Sequence, residues 1–120
     1  MSVEDYTPVT VERELQALAN SVAKMIPELD RLDREKARTK RELDRAIARE
    51  TLVADGATVA DRAAQVELAT IKERDEKEVA ELAAKYAANQ LRALETRIDI
   101  LRSIGVGVRQ AYALAGRWEP

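Results

Sequence analysis

The fold of this chain is decided by residues 11–32, which read VERELQALANSVAKMIPELDRL. The apolar positions alternate by four and three, and they are Val11, Leu15, Leu18, Val22, Met25, Leu29 and Leu32. This is the a and d pattern of a coiled coil, in which one apolar stripe packs against a partner helix. Pro27 removes one backbone hydrogen bond and is expected to kink the helix. Because the pattern continues through Pro27, it favours one kinked helix over two separate helices.

The first helix is predicted to cover residues 8–54. Thr7 precedes Pro8, so Thr7 can cap the helix while Pro8 takes the first helical position, where its missing N–H costs nothing. Thr10 is a competing cap. Residues 1–7 are expected to form a flexible tip.

A turn over residues 55–58 is predicted to join this helix to a second one. Gly56 is expected to adopt the left-handed conformation just past the last turn. Thr58, with Asp61 three residues later, resembles a capping box. The second helix is predicted over residues 59–104. Its apolar positions again alternate by four and three, and they are Ala80, Ala84, Ala87, Leu91, Leu94, Ile98 and Leu101.

Two glycines interrupt the second pattern. Gly105 and Gly107 each cost about 1 kcal/mol relative to Ala inside a helix. Either the helix bends at these glycines, or it stops and a short third helix covers residues 108–115. Gly116 is then expected to end the helix, and residues 117–120 form a tail.

The two long helices have nearly equal lengths, roughly 70 Å each at 1.5 Å per residue. Folded back at Gly56, they form an all-α, coiled-coil-like antiparallel hairpin, a single domain over residues 8–116. One pair of helices buries one stripe per helix, which leaves a second apolar face near Ile100 and Ile104 in water. We therefore expect a homo-oligomer. The predicted interface residues are Leu91, Leu94, Ile98, Ile100, Leu101, Ile104, Val108 and Tyr112.

Composition argues against catalysis. The chain has 120 residues, of which 35% are charged, with no Cys and no His. It therefore lacks thiolate chemistry, the usual general base and the commonest metal ligand. The carboxylates between residues 73 and 78 alternate with Lys and Arg, as on a solvated helix face. We expect no enzyme activity, no metal site and no cofactor.

Hydropathy and the first residues predict the compartment. No apolar run reaches the roughly 18 residues that a membrane span needs. Residues 1–5 are acidic and lack the basic-then-apolar order of a signal peptide. A cytoplasmic location without a membrane partner is expected.

Basic residues are concentrated in two segments, although the net charge is −2. Residues 31–49 contain eight bases against four acids, and residues 91–118 contain five arginines against two acids. Cationic side chains that displace counterions supply most sequence-independent affinity for nucleic acid. The candidate binding residues are Arg38, Lys40, Arg41, Arg45, Arg49, Arg102, Ser103 and Arg109. The alternative is that these arginines flank the a and d positions and pair with acids across the hairpin.

The second basic segment adds other phosphate-binding groups. Arg102 and Arg109 flank a hydroxyl and the glycine amides of a predicted helix break, a combination that suits phosphate contacts. Tyr86, Tyr112 and Trp118 could stack on single-stranded bases. The alternative is that both tyrosines lie in the core and that Trp118 seals an interface.

The segment Ala87–Gly116 resembles small helical proteins encoded by phages and prophages of high-GC bacteria. The resemblance rests on Leu91, Leu94-Glu95, the run from Ile98 to Ser103, and Arg109. The layout of residues 30–116 is similar to that of the UvsY-type recombination mediators of phages. Both have a first helix with a basic end, a glycine turn, an acidic stretch, and a long helix that ends in a small-plus-basic segment.

This resemblance implies single-stranded DNA binding, ring-like self-assembly, and loading of a recombinase onto DNA coated by single-strand-binding protein. Arg45 and Arg49 fall where that family carries DNA-binding basic residues, and Arg102 and Arg109 fall in its C-terminal assembly region. A phage-encoded protein of this kind acts in the host cytoplasm. The second hypothesis is a coiled-coil adaptor or host-takeover factor that binds a protein and no nucleic acid.

Overall fold

The computed structural model describes the backbone of residues 5–118 and the side chains of residues 5–116. Within this range the chain forms three helices and no strands: α1 (Pro8–Val53), α2 (Val59–Ala69) and α3 (Ile71–Trp118). The predicted fold class, an all-α helical hairpin, is confirmed. Residues 1–4 of the predicted tip and residues 119–120 of the predicted tail lie outside the described residues.

The start of α1 is fixed by two threonines that cap each other. The Thr10 N–H donates to Thr7 Oγ1 (3.2 Å), and the Thr7 N–H donates to Thr10 Oγ1 (2.8 Å). This is the reciprocal geometry of a capping box. Thr7 is the cap and Pro8 the first helical residue, as predicted, while Thr10 completes the cap rather than competing with it.

α1 is one uninterrupted helix with Pro27 inside it, which confirms the prediction of one helix rather than two. It ends at Val53, one residue before the predicted end. The helix continues through Pro27 because the proline removes only one backbone hydrogen bond. The packing residues on both sides of Pro27 keep the same heptad phase.

The turn does not contain the predicted left-handed glycine, because no glycine in the described range has a positive φ. Gly56 is required for space instead. A Cβ atom at this position would lie 2.8 Å from the Asp61 Cβ and 2.9 Å from the Arg62 nitrogen. Gln65 Oε1 accepts from the Asp55 and Gly56 N–H groups, and Arg62 donates to the Gly56 carbonyl. Side chains of α2 therefore hold the turn against the start of the helix.

The prediction of one helix over residues 59–104 was wrong at Thr70. α2 begins at its predicted cap, with Thr58 Oγ1 accepting from the Asp61 N–H (3.0 Å), but it ends at Ala69. The Thr70 side chain is fully buried, and its hydroxyl donates to the Val66 carbonyl (2.9 Å). The Thr70 backbone N–H donates to the Glu67 carbonyl, three residues back, so the α-helical hydrogen-bond pattern is interrupted between α2 and α3.

Of the two alternatives at Gly105 and Gly107, a bend in the helix or a stop followed by a separate helix over residues 108–115, the stop does not occur. α3 continues through both glycines to Trp118, two residues into the predicted tail. Gly105 is buried, four residues after the buried Leu101 and three before the buried Val108. It therefore occupies an a/d position of α3, where the absence of a side chain allows close packing.

Contacts between Cα atoms divide the chain into two compact units. The terminal unit contains the part of α1 up to Pro27 and the part of α3 from Asn89 onward. Its core consists of Val11, Leu18, Leu101 and Val108, with Tyr6, Leu15, Leu94, Ile98 and Ile104 packed against them.

The turn unit contains residues 28–88 and has a different core. Its buried side chains are all small: they are Thr39, Ala46, Thr70, Ala80, Ala84 and Ala87. Small residues at a/d positions allow the backbones of two helices to approach closely. The predicted contact positions of α3 in this unit are thus confirmed as buried positions.

Candidate nucleic-acid interface

Five arginines form a row on α1 within the turn unit. We call Arg31, Arg34, Arg38, Arg41 and Arg45 the arginine row. Their spacing of three, four, three and four residues places them on one face of a continuous helix. The row is about 21 Å long at 1.5 Å per residue. All five residues are exposed.

The row lies on the outer face of α1. The buried residues Thr39 and Ala46 mark two d positions of the helix, so the arginines occupy the c and f positions, which face away from a packed a/d stripe. No acidic residue occupies any position of this face between Lys24 and Arg45. The result is a straight cationic strip.

Neighbouring carboxylates pair with most of the row. Arg34 Nε lies 2.9 Å from Asp30, Arg38 Nη2 lies 2.7 Å from Glu35, and Arg45 Nη1 lies 3.2 Å from Glu42. Arg31 likewise pairs with Glu28. No ion pair in the described part of the chain includes Arg41. All four pairs lie within α1, so the predicted alternative of pairing across the hairpin does not account for these arginines.

Two of these ion pairs, Arg31 with Glu28 and Arg38 with Glu35, shift the pKa values of their members. The hydrogen bond from Arg31 lowers the pKa of Glu28, and the hydrogen bond from Arg38 lowers the pKa of Glu35. The same bonds raise the pKa of the two arginines, and the charge of Glu76 on α3 raises the pKa of Arg38 further. Arg31 and Arg38 therefore stay fully cationic at neutral pH.

The arginines of this strip can leave their carboxylate partners and bind the phosphates of a polyanion instead. Exposed ion pairs contribute little to the free energy of unfolding, typically below about 1 kcal/mol, because water screens the charges. Arginine forms paired hydrogen bonds with a phosphate as readily as with a carboxylate. A phosphate chain along the strip could replace the carboxylates of α1 one by one.

The other predicted bases of this segment lie beside the row. Lys40 and Arg49 are exposed, at the e and g positions of α1, so they flank the packed stripe rather than the outer face. Arg31 and Arg34 were counted in the basic segment but not among the candidate binding residues. Their spacing from Arg38 is the sequence signal that places them on its face.

The second basic segment, around Arg102 and Arg109, lies on a continuous helix and not at the expected helix break. Arg102 and Arg109 are exposed and two helical turns apart, and both line a cleft of about 490 Å³ with Glu12. Ser103 Oγ donates to the Asp99 carbonyl (3.2 Å). Since the helix is continuous here, the glycine amides belong to its hydrogen-bond ladder, and the predicted amide contacts to phosphate lose their basis.

The residues predicted as an oligomer interface occupy several environments. Leu101 and Val108 are buried in the core of the terminal unit, and Leu94, Ile98 and Ile104 pack against that core. Leu91 is half-buried, whereas Ile100 and Tyr112 are exposed. Most of these apolar side chains are thus already covered within the chain.

The aromatic residues are more open than a core position allows. Tyr86 is 67% exposed and Tyr112 is 55% exposed, so neither lies in the core. Both are positioned where a planar ligand could reach the ring. The side chain of Trp118 lies outside the described side chains.

Neither a metal site nor a membrane span is present among the described residues. No group of three or more carboxylate, imidazole or thiol side chains among them could hold a metal ion. None of the described helices combines the length and apolarity of a membrane span. Comparisons with protein-family models, with curated proteins and with solved structures found no match to this chain.

Proposed function

We propose that this protein is a self-associating helical hairpin that binds single-stranded DNA through the arginine row of α1. The observation that carries the proposal is the strict three-four spacing of five exposed arginines on one outer helix face. A chain with a net charge of −2 has no general affinity for nucleic acid, so any binding must come from a local concentration of cations.

The shape of the arginine row suits single-stranded DNA better than duplex DNA. A flexible strand can follow a straight strip of about 21 Å, whereas duplex recognition requires an element that fits a groove. Lys40 and Arg49 add charge beside the row, and Arg102 and Arg109 form a second cationic site in the terminal unit.

The biological role that fits this activity is an accessory role in phage DNA recombination or replication. Its support is the layout similarity to UvsY-type mediators, in which a basic end of the first helix contacts DNA. In this role the partners are further copies of the chain, a recombinase, and a single-strand-binding protein. The site of action is the host cytoplasm.

The test compares two neutralised variants by fluorescence anisotropy of a labelled single-stranded oligonucleotide. One variant carries Arg34→Gln, Arg38→Gln and Arg41→Gln. The control carries Arg13→Gln, Arg92→Gln and Arg97→Gln, which change the net charge equally but lie outside the row. Gln is a good helix former, so both variants should keep their helices, a point that circular dichroism checks.

We expect the row variant to lose at least about tenfold in affinity at low salt, and the control less than about twofold. Equal losses would mean that binding follows net charge and not the row. No binding of the unchanged protein at low salt would refute the DNA proposal outright.

A second candidate function, a protein-binding adaptor, is favoured by the surface near the turn. α2 contains no buried residue, and Leu52 (86%), Val59 (75%) and Leu68 (70%) are largely exposed. Uncovered apolar groups of this kind often mark a protein interface. If the adaptor function is the correct one, exchange of Leu52 and Leu68 for Gln will abolish capture of the partner, while the row variant will have no effect on any activity.

A further inference from the structure

From Val79 onward, the outer face of α3 in the turn unit is apolar, although it is exposed to solvent. The buried Ala80, Ala84 and Ala87 mark the a/d stripe, so the opposite c and f positions are Val79, Leu82 and Tyr86. These three are 66%, 58% and 67% exposed. We call them the apolar outer face of α3.

This composition is unusual for the chain. The equivalent positions of α1 carry the arginine row, whereas those of α3 carry no charge from Val79 as far as Leu114. With 35% charged residues in the chain, a solvated helix face would contain several. A long uncharged face opposite the packed stripe is the pattern of a helix with neighbours on both sides.

We propose that the apolar outer face of α3 is the contact between two copies of this chain, paired antiparallel with Leu82 at the two-fold axis. This inference rests on the self-association part of the proposed function and does not require DNA binding. A two-fold contact uses the same patch on both copies, so the patch must be complementary to itself.

The charges beside the face select the antiparallel arrangement. Glu78 and Lys85 are exposed, both occupy b positions, and no ion pair in the described part of the chain includes either. In an antiparallel pair centred on Leu82, Glu78 of each copy lies beside Lys85 of the other. In a parallel pair the b positions of the two copies lie on opposite sides of the contact, so Glu78 and Lys85 would not meet and neither ion pair would form.

The same arrangement brings Tyr86 into contact with the partner copy. In the antiparallel pair Tyr86 of one copy lies beside Val79 of the other. Val79 forms one wall of a groove of about 350 Å³, whose lining combines the apolar side chains of Leu32 and Ala83 with charged ones. The charged lining residues are Glu35, Arg38, Asp75 and Glu76. The ring of Tyr86 can fill this groove, and its burial supplies most of the contact energy, since aromatic side chains dominate small interfaces.

The experiment exchanges the two charges and measures mass by sedimentation velocity over a wide range of concentration. The unchanged 13.4 kDa chain should reach twice this mass as concentration rises. Glu78→Lys alone, or Lys85→Glu alone, creates two like-charge contacts per dimer and should raise the dissociation constant at least about tenfold. The double variant, Glu78→Lys with Lys85→Glu, restores both pairs and should restore the dimer.

Mixing the two single variants gives the sharpest result. A copy with Glu78→Lys and a copy with Lys85→Glu pair oppositely at both contacts, so the mixture should form a heterodimer although each variant alone does not form dimers. Leu82→Glu should abolish the dimer in every background. Glu95→Lys, an equal charge change on α3 outside the face, is the control and should change nothing.

The outcomes separate this inference from the proposed function. The inference is overturned if the unchanged chain stays monomeric. It is also overturned if the dimer does not respond to the charge exchanges. Both conclusions hold whatever the result of oligonucleotide binding. A dimer that responds as described, in a chain that binds no oligonucleotide, supports the inference and overturns only the DNA proposal.

Discussion

The Cγ1 atom of Val11 lies 3.0 Å from the position that a Cβ atom on Gly105 would occupy. Gly105 is therefore a contact position at which the Val11 side chain packs on bare helix backbone. At Gly107, two residues further along α3, a Cβ atom would meet no heavy atom within 4 Å apart from the adjacent residues and backbone of its own helix. The two glycines share a helix and differ in what they face, so they form a matched pair.

Gly107→Ala should stabilise the protein by about 0.5–1 kcal/mol, because alanine loses less backbone entropy on entering a helix. Gly105→Ala gains the same helix propensity but pushes against Val11, so it should be less stable than Gly107→Ala by about 1 kcal/mol or more. Thermal unfolding followed by circular dichroism measures both. Equal stabilisation by the two substitutions would mean that Val11 and Gly105 are not in close contact.

The alanine core of the turn unit predicts a strong dependence on side-chain size. Ala84 is 7% exposed, so Ala84→Leu must force the packed backbones apart and should destabilise by about 1–3 kcal/mol. Ala93→Leu, at an exposed position of the same helix, should change stability by less than about 0.5 kcal/mol. Urea unfolding distinguishes the two. A harmless Ala84→Leu would contradict the close packing of small residues.

Acid should weaken α1 through the glutamates of the arginine row. The folded-state pKa values of Glu28 and Glu35 lie below the ordinary value of 4.5, because Arg31 and Arg38 hydrogen-bond to the ionised forms. Their contribution to stability is therefore complete above about pH 4.5 and is lost as the pH falls through the lowered values.

The measurement for this prediction is the thermal midpoint as a function of pH. The double variant Glu28→Gln, Glu35→Gln should lose less stability on acidification than the unchanged chain. Glu95→Gln, which removes a glutamate outside any ion pair of the described residues, should follow the unchanged chain more closely. If both variants respond to acid alike, the ion pairs of the row contribute nothing to stability.

Periodicity explains how much of the fold could be predicted. The two heptad patterns gave the helices and their packed faces, because burial of an apolar stripe is a property of the sequence itself. The caps at Thr7 and Thr58 were likewise visible, since each depends on residues three positions apart. The prediction of a left-handed conformation at Gly56 was wrong. The space around that residue is limited by contacts with α2, and sequence periodicity does not show these contacts.

The other errors have the same physical origin. A glycine in a helical pattern usually costs stability, and only its tertiary neighbour Val11 explains why α3 tolerates Gly105. At the break, the backbone N–H of the fully buried Thr70 bonds to the Glu67 carbonyl, and propensity alone does not indicate this change. At the candidate site, basic charge was evident from composition. The arrangement of the arginines on one face required the position of each residue relative to the packed stripe.

The most direct test of the central claim is the salt dependence of single-stranded oligonucleotide binding. If the arginine row binds phosphates, the logarithm of the binding constant falls linearly with the logarithm of salt concentration, by about 0.7 for each phosphate contacted. We predict a slope between about −2 and −3.5 for the unchanged chain, and a shallower one for the variant with Arg34, Arg38 and Arg41 changed to Gln. No measurable binding at the lowest salt, or a slope that the row variant leaves unchanged, would contradict the account.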